Sequence, residues 1–507
     1  MKKNVSEKAK EGVFWTVIFQ GVQFVIRFGG SILLARVLFP EDFGLMTGAM
    51  LVVQFSRRIV NFGFNLALVQ RKEISREHLD TVFLFNGAIF LFINLVLFLG
   101  APYIARFLED DRVAPIIAAI SFIFFFRAFI AVPKSILSRE MKFKELQLGR
   151  SVGRITTEIL PLPLALLGFG VWSLVFGVLG GVFLEVVVTS YYARYFPRLR
   201  FHFQALKDVF SFGIWTSVDN FINYFVNKVD YFLIIKFLDA AQLGFYERAF
   251  NLMNMPRNQI ARNLNQVLFS AYSRIQDDDK RVARAITRVT SYIAFLSYPI
   301  IIGLFFAAPS LVIVLYGDKW QPTILPLQIM CISGLFNVFT MIFTPVLLAK
   351  NLVKNRARRQ FFYLIVLASA IWYGLRWGIV GVAWGVAISS VVFLGLIVHL
   401  VSRHLPFSIW HFIKAQKASL LYGLIQGGSL WLLWKFSKPY FAVDSWQMLL
   451  SVIFVSIFTV IGSHLIFRFK EVDEFFGEVF VGVKKFWQKI MTLTKPAVTP
   501  ESGENKP

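Results

Sequence analysis

The sequence predicts an all-α integral membrane protein of about 14 transmembrane helices, arranged as two pseudo-symmetric six-helix lobes plus two C-terminal helices. Three observations predict this. Of 507 residues, 56% are hydrophobic, 57 are Phe and only 16% are charged, and the mean hydropathy is +0.62, all outside the range of soluble domains. Apolar runs of about 20 residues, enough to cross a bilayer, recur from end to end and leave no stretch for a separate soluble domain. The chain also repeats itself. Displaced by 200 residues, Trp15-Thr16 falls on Trp215-Thr216, Leu38 on Leu238, Gly44 on Gly244, Ala49 on Ala249, Arg57 on Arg257 and Asn65 on Asn265.

Taken in order, the first span follows a basic N-terminus and runs for roughly 25 residues, too long for a signal-peptide core and without a small-residue cleavage site. Its Thr16, Gln20, Gln23 and Arg27 share one helical face. The second span carries Thr47, Gln54, Arg58, Asn61 and Asn65. Spans centred near residues 90, 124, 158 and 183 follow, and their Arg127, Glu158 and Glu185 predict an intramembrane network, either functional or a buried pairing. The seventh span repeats the first stripe as Thr216, Asn220, Asn223 and Asn227, and the eighth repeats the second as Glu247, Asn251, Asn254, Asn258 and Asn265. Spans near 298, 335, 368 and 390 complete the second lobe, and those near 427 and 457 are the extra pair. Pro161, Pro163, Pro299, Pro326 and Pro345 fall inside spans and predict kinks or hinges. The expected divisions are 1–200, 201–404, 405–470 and a cytoplasmic 471–507, which combines an amphipathic helix at the inner leaflet with a disordered tail. Six spans separate the copies, so the lobes have the same orientation and are related by an axis along the membrane normal.

A net charge of +23 raises nucleic-acid binding, but the placement of the charge argues against it. Basic residues cluster in every second connection, for example Lys134, Arg139, Lys142 and Lys144, or Lys350, Lys354, Arg356, Arg358 and Arg359. The alternate connections, Pro40 to Asp42, Glu109 to Arg112, Gly168 to Gly170, Asp239 and Gly317 to Trp320, are short and mostly poor in them. This is the positive-inside pattern, with both termini cytoplasmic. Cys331 stands alone in an apolar run, and the six His are scattered without metal or catalytic spacing. No cofactor, metal or phosphate-cradling loop is expected, and no nucleic-acid partner.

The seventh span poses the sharpest question, because it also holds Asp219, Lys228 and Asp230. Each charge costs about 2.5 to 3.5 kcal/mol at a helix centre, against about 0.3 to 0.6 returned by each Leu, Ile, Phe or Val. The segment must face protein or water. Projection at 100° per residue places Asp219, Asn223, Asn227 and Asp230 within about a quarter-turn, with Lys228 on a flank. Interhelical hydrogen bonding explains any single Asn. Four matched stripes with charge predict a water-filled cavity between the lobes.

The stretches LARVLFPEDFGL (Leu34 to Leu45), SREMKFKEL (Ser138 to Leu146), GFGVWSLV (Gly168 to Val175), DYFLIIKFLDAAQLGFYERAFNL (Asp230 to Leu252) and YGDKWQPTILPLQI (Tyr316 to Ile329) resemble polysaccharide exporters. These are the O-antigen, colanic-acid and teichuronic-acid type members of the multidrug/oligosaccharidyl-lipid/polysaccharide flippase superfamily. The resemblance covers nearly the whole chain. Asp239-Ala240 departs from the Gly-Pro or Gly-Ala common in that family at an outer turn. The resemblance implies a non-enzymatic flippase in the bacterial inner membrane, with two lobes forming a V around a cavity. It would move a polyprenyl-diphosphate-linked oligosaccharide to the outer leaflet.

For such a substrate, Arg27, Arg58 and Arg248 suit the diphosphate, and Gln20, Gln23, Asn223, Asn227, Asn251 and Asn254 suit sugar hydroxyls. Asp219, Lys228 and Asp230 have no charged counterpart in the first half, where Phe19, Phe28 and Gly30 stand, and are candidates for coupling or gating. Structural pairing is open for Asp219 and Asp230. A proton or sodium ion is the candidate coupling ion; membrane lipids and polysaccharide polymerase machinery are candidate partners. A peptidoglycan-precursor flippase and a multidrug or cation antiporter share the implied fold. A membrane glycan polymerase or ligase, the rival from a different class, is expected to carry sizeable outer loops, which the sequence lacks.

Overall fold

The computed structural model describes residues 25–60, 74–198, 200–203, 224–437 and 442–469, with positions 21, 23, 472–474 and 477 beside them. Gln20, Asp219, Asn223 and nearly all of the expected amphipathic helix and tail lie outside the described residues. Regular structure among the described residues is helical throughout. Helix α1 covers 25–37 and ends before Pro40. Helix α2 (Pro40–Val60) starts on that proline, whose missing N–H costs nothing in a first turn, and places Glu41 and Asp42 at its positive end. Then come α3 (Arg76–Phe107), α4 (Val113–Ala128), α5 (Ala131–Arg139), α6 (Phe143–Ile159), α7 (Pro161–Leu166) and α8 (Val171–Ala193). The fourth span bends by 41° between α4 and α5. Pro161 divides the fifth by opening α7.

The seventh span is broken. Residues 224–226 form a helical turn, Asn227 and Lys228 a tight turn, and α9 (Val229–Phe237) resumes beyond them. Helix α10 (Ala240–Arg274) is capped by Asp239, whose carboxylate accepts from the Gln242 N–H at 2.7 Å. That gives the Asp239-Ala240 departure a local purpose. There follow α11 (Asp279–Tyr316), a 3-10 stretch (Asp318–Thr323), α12 (Ile324–Ala349), α13 (Val353–Gly374), α14 (Gly378–Ser402), α15 (Ile409–Lys414), α16 (Lys417–Ser437) and α17 (Trp446–Phe467).

Six described stretches are long and apolar enough to cross a membrane, or seven if the bent α4–α5 pair is one span. The expected number was about fourteen. Part of the difference is folding back: the 50-residue stretch Val353–Ser402 would be about 75 Å long if straight, yet α13 and α14 pack side by side. Part is polarity. Helices α2 and α10 are not among the six; α2 carries Glu41, Asp42, Arg57 and Arg58, and α10 carries Glu247, Arg248 and a run of Asn.

Helices α2 to α8 pack among themselves, as do α9 to α14, and α16 and α17 lie against α11. The two larger groups meet chiefly where α2 crosses α9 and α10. One apolar cluster runs through both, from Leu34, Leu38 and Phe43 to Tyr231, Leu243, Tyr246 and Trp320. Farther along, the clusters are separate: Tyr272, Ile286, Phe343 and Phe407 in the second group, Val82 and Val132 in the first. Among the described residues the groups are thus joined at one end, and no apolar cluster spans both at the other.

At the joined end, a Cβ on Gly44 would lie 1.6 Å from the Ala240 carbonyl oxygen, and one on Gly244 1.9 Å from that of Pro40. These four positions form two pairs 200 apart, so the sequence repeat is realised as a reciprocal backbone contact. Gly44→Ala or Gly244→Ala must force α2 and α10 apart, at about 1–3 kcal/mol for overpacking. Both variants are expected to unfold at lower temperature in detergent. Gly87→Ala, where nothing lies within 4 Å, should unfold with the parent.

Candidate substrate cavity

Between the two groups lies a cavity of about 470 Å³. Its wall takes Arg27, Phe28 and Ser31 from α1, Thr47 and Gln54 from α2, Glu158 from α6, Lys228 from the broken span and Glu247, Arg248 and Asn251 from α10. Three cations and two carboxylates therefore meet in a space enclosed by apolar helices. Charges in such a place are retained only where they pair or serve a polar path.

Arg248 is the best anchored of them. Its Nη1 donates to Ser31 Oγ at 2.5 Å, its guanidinium lies 3.9 Å from the centre of the Phe43 ring, and Tyr316 and Trp320 sit at 5.9 and 5.8 Å. Its carboxylate neighbour is the adjacent Glu247, at 3.7 Å, which accepts from the Asn251 side chain. The Arg248 Nε, though buried, has no hydrogen-bond partner among the described residues. Glu158 faces the charges of Arg27 and Arg248. Glu185 pairs with Lys134 at 2.7 Å and acts on Arg127, so the expected three-residue network divides into Glu158 at the cavity and Arg127 with Glu185.

Of the residues expected in the substrate path or in gating, Arg27, Lys228, Arg248 and Asn251 line the cavity, together with Thr47, Gln54 and Glu247 of the polar stripes. Gln23 turns toward α6, donating to Ser151 Oγ at 2.7 Å and accepting from Arg154 at 2.9 Å. Asn254 is buried and donates to the Phe250 carbonyl, while Arg58 and Asn227 are not in the cavity wall. Lys228 and Asp230 exchange the positions that projection gave them. Lys228 faces the cavity with its ammonium 3.9 Å over the Tyr231 ring, and Asp230 is buried behind that wall, accepting from the Tyr246 hydroxyl at 2.9 Å. The break at 227–228 causes the exchange, since a continuous 100° register does not survive it. The sequence does not single out Ser31, and it marks Glu158 and Glu247 only in a network and a polar stripe, without a substrate role. The signal for Glu247 was present: it stands at the cavity position equivalent to Thr47.

The joined end roofs the cavity with reciprocal helix caps. Arg36 donates to the Leu315 and Val314 carbonyls near the end of α11 at 2.9 and 2.5 Å. Its counterpart Lys236 donates to the Phe107 carbonyl at the end of α3 at 2.6 Å and pairs with Glu109. The last carbonyls of α1, at Ala35, Arg36 and Leu38, accept from Trp320 Nε1 and Lys319 Nζ at 2.7–2.8 Å. Helix ends left without intrahelical partners in one group are satisfied by the cations and the Trp320 indole of the other.

A family profile described as "Polysaccharide biosynthesis protein" matches residues 33–325. The chain belongs to that family. Among curated relatives of the family's kind, the lipopolysaccharide biosynthesis protein WzxC of Escherichia coli is 25% identical over 77% of this chain and 80% of its own length. The teichuronic acid biosynthesis protein TuaB of Bacillus subtilis is 24% identical over 77% and 81%. The succinoglycan biosynthesis transport protein ExoT of Rhizobium meliloti is 30% identical over 61% and 62%. The fold is similar to that of the lipid II flippase MurJ in an inward closed conformation, with a TM-score of 0.69 and 18% identity over 89% of this chain and 99% of that one. The inward-facing conformation of a multidrug resistance MATE family transporter of the MOP superfamily gives 0.60 and 15% over 75% and 95%.

Tyr246→Phe would remove the side-chain donor from Asp230, leaving a buried carboxylate short of a partner at about 1–3 kcal/mol. The thermal stability of that variant is expected to fall by this amount. In an Asp230→Asn background the same change should cost less, and calorimetry of the four-protein cycle reads the difference.

Proposed function

We propose that this protein is a flippase for a polyprenyl-diphosphate-linked oligosaccharide, working in the bacterial inner membrane by alternating access between lobes formed by 1–200 and 201–404. The single observation that carries the reading is the cavity: guanidinium and ammonium groups, carboxylates and two amides enclosed between two groups of apolar helices. A diphosphate crossing hydrocarbon needs cationic donors, and Arg27 and Arg248 supply them. Glu158, Glu247, Gln54 and Asn251 offer acceptors and amides to sugar hydroxyls. The names of the family's relatives agree with this use. The chemistry is binding and conformational change, without covalent catalysis.

The five basic-poor connections support an assignment of sidedness. Those at 38–42, 107–112 and 314–320 share the caps described above; Gly170 lies against Asp42, and Asp239 adjoins the Gly44–Gly244 crossing. By the positive-inside rule this joined end faces outward and both termini face the cytoplasm. On this assignment the cavity is closed toward the outside, and transport would require the reciprocal caps to open. Three helix-end cations, Arg36, Lys236 and Lys319, at about 0.3–1 kcal/mol each, hold that closure.

Two measurements test the reading. Arg27→Ala is expected to lower surface-polysaccharide export at least tenfold with membrane insertion unchanged; normal export would remove Arg27 from the substrate path. In a Cys331→Ala background carrying Thr47→Cys, an impermeant maleimide applied from outside should react about tenfold faster when Arg36→Gln and Lys236→Gln are added. In the deletion strain, accumulation of peptidoglycan precursor alone would move the protein to the other flippase branch, which shares the lipid II flippase fold.

A further inference from the structure

A second cavity, of about 1010 Å³, lies beside the first and has a different chemistry. Its wall is apolar: Leu51, Val52 and Phe55 of α2, Leu97 and Ile104 of α3, Phe225, Phe232 and Leu233 of the broken span, and Ala368, Ser369 and Trp372 of α13. It runs between the two helix groups and reaches the lipid-facing surface, where Trp372 and Tyr373 are each 58% exposed. The Phe107 and Phe232 rings, 5.9 Å apart, stand at its joined end beneath the Lys236 cap. Leu51 and Lys228 belong to both cavities. The single charged group of the apolar groove therefore stands at its junction with the polar chamber.

Broken symmetry makes this groove one-sided. The position equivalent to Arg248 is Gly48, which lines the groove, has no side chain to bridge it and lies close against Ile235, 3.2 Å from where a Cβ would stand. At the other seam Arg248 bridges α10 to Ser31 of α1. Phe28 takes the place equivalent to Lys228 and puts a ring, not an ammonium, into the chamber. One seam is bridged by a polar side chain, and the other is an apolar channel with a cation at its throat.

We propose that this groove is the path of the substrate's polyisoprenyl tail, and that Lys228 binds the phosphate where head and tail join. The inference rests on the flippase reading and adds to it a tail subsite and a phosphate ligand. An amphiphile with an anionic joint matches the sequence of surfaces: polar chamber, cation, apolar groove, bilayer. The groove's volume is at the top of the range for small-ligand pockets, so it holds the first isoprene units while the remainder stays in lipid. The helix break at Asn227–Lys228 serves the same site, because non-helical backbone at membrane depth is tolerated where it lines a cavity.

The test uses the full chain in nanodiscs, with undecaprenyl diphosphate as the long probe and dimethylallyl diphosphate as the head probe. Ser369→Trp, which fills the groove from an exposed wall position, is expected to weaken the long probe at least tenfold and to leave the head probe within twofold. Ala368→Phe provides a second filling variant, and unchanged thermal unfolding certifies both. Lys228→Gln should weaken both probes. Parent-like affinity of both filling variants for the long probe would overturn the tail path, and displacement of that probe by equimolar phosphatidylglycerol would make the groove an ordinary lipid site. If the parent binds neither probe, the flippase reading fails together with the inference. If it binds the head probe and the filling variants do not discriminate, only the inference fails.

Discussion

The close crossing of α2 and α10 is the contact on which the rest depends. Gly44 and Gly244 let two polar helices touch backbone to backbone, and no other residue type fits there without moving Ala240 or Pro40. Because the joint is small and at one end, the helix groups diverge from it, and the divergence is the cavity. The caps from Arg36, Lys236, Lys319 and Trp320 surround the same joint, so the strongest polar contacts between the groups lie beside their tightest packing.

Hydrocarbon explains why polarity is confined as it is. Large exposed apolar side chains such as Phe92, Leu99, Phe454 and Phe458 cover outward surfaces, while the intramembrane charges turn inward. Two kinds of inward charge are distinguishable. Asp230 and Glu185 are engaged by Tyr246 and Lys134 and act as parts of the packing. Arg27, Lys228 and Glu158 line open space.

The sequence made the helical class, the repeat and the polar stripes legible, because composition and a 3.6-residue period survive without knowledge of contacts. Arg27 and Asn251 were found that way, and Arg248 only as a cation suited to the diphosphate of the substrate that the resemblance implies. Depth was not legible: Arg58 and Asn254 share stripes with cavity residues but lie off the wall, since a helical projection gives an angle and not a height. Nor was the break at Asn227–Lys228, which contains neither Gly nor Pro and which exchanged the places of Lys228 and Asp230. The apolar groove left no trace in a polar-pattern search, because Gly48 marks it by lacking a side chain.

The substitution of Gly48 and Lys228 on one seam for Arg248 and Phe28 on the other gives the molecule a front and a back within the plane of the bilayer. A lipid diffusing in two dimensions meets the protein from all directions, yet on the proposed tail path only arrivals over one arc of its perimeter would be productive. Capture frequency then depends on which way the protein is turned relative to the source of its lipid. Fixing that rotation against a neighbouring membrane enzyme would shorten the lateral search without altering any residue inside the cavity.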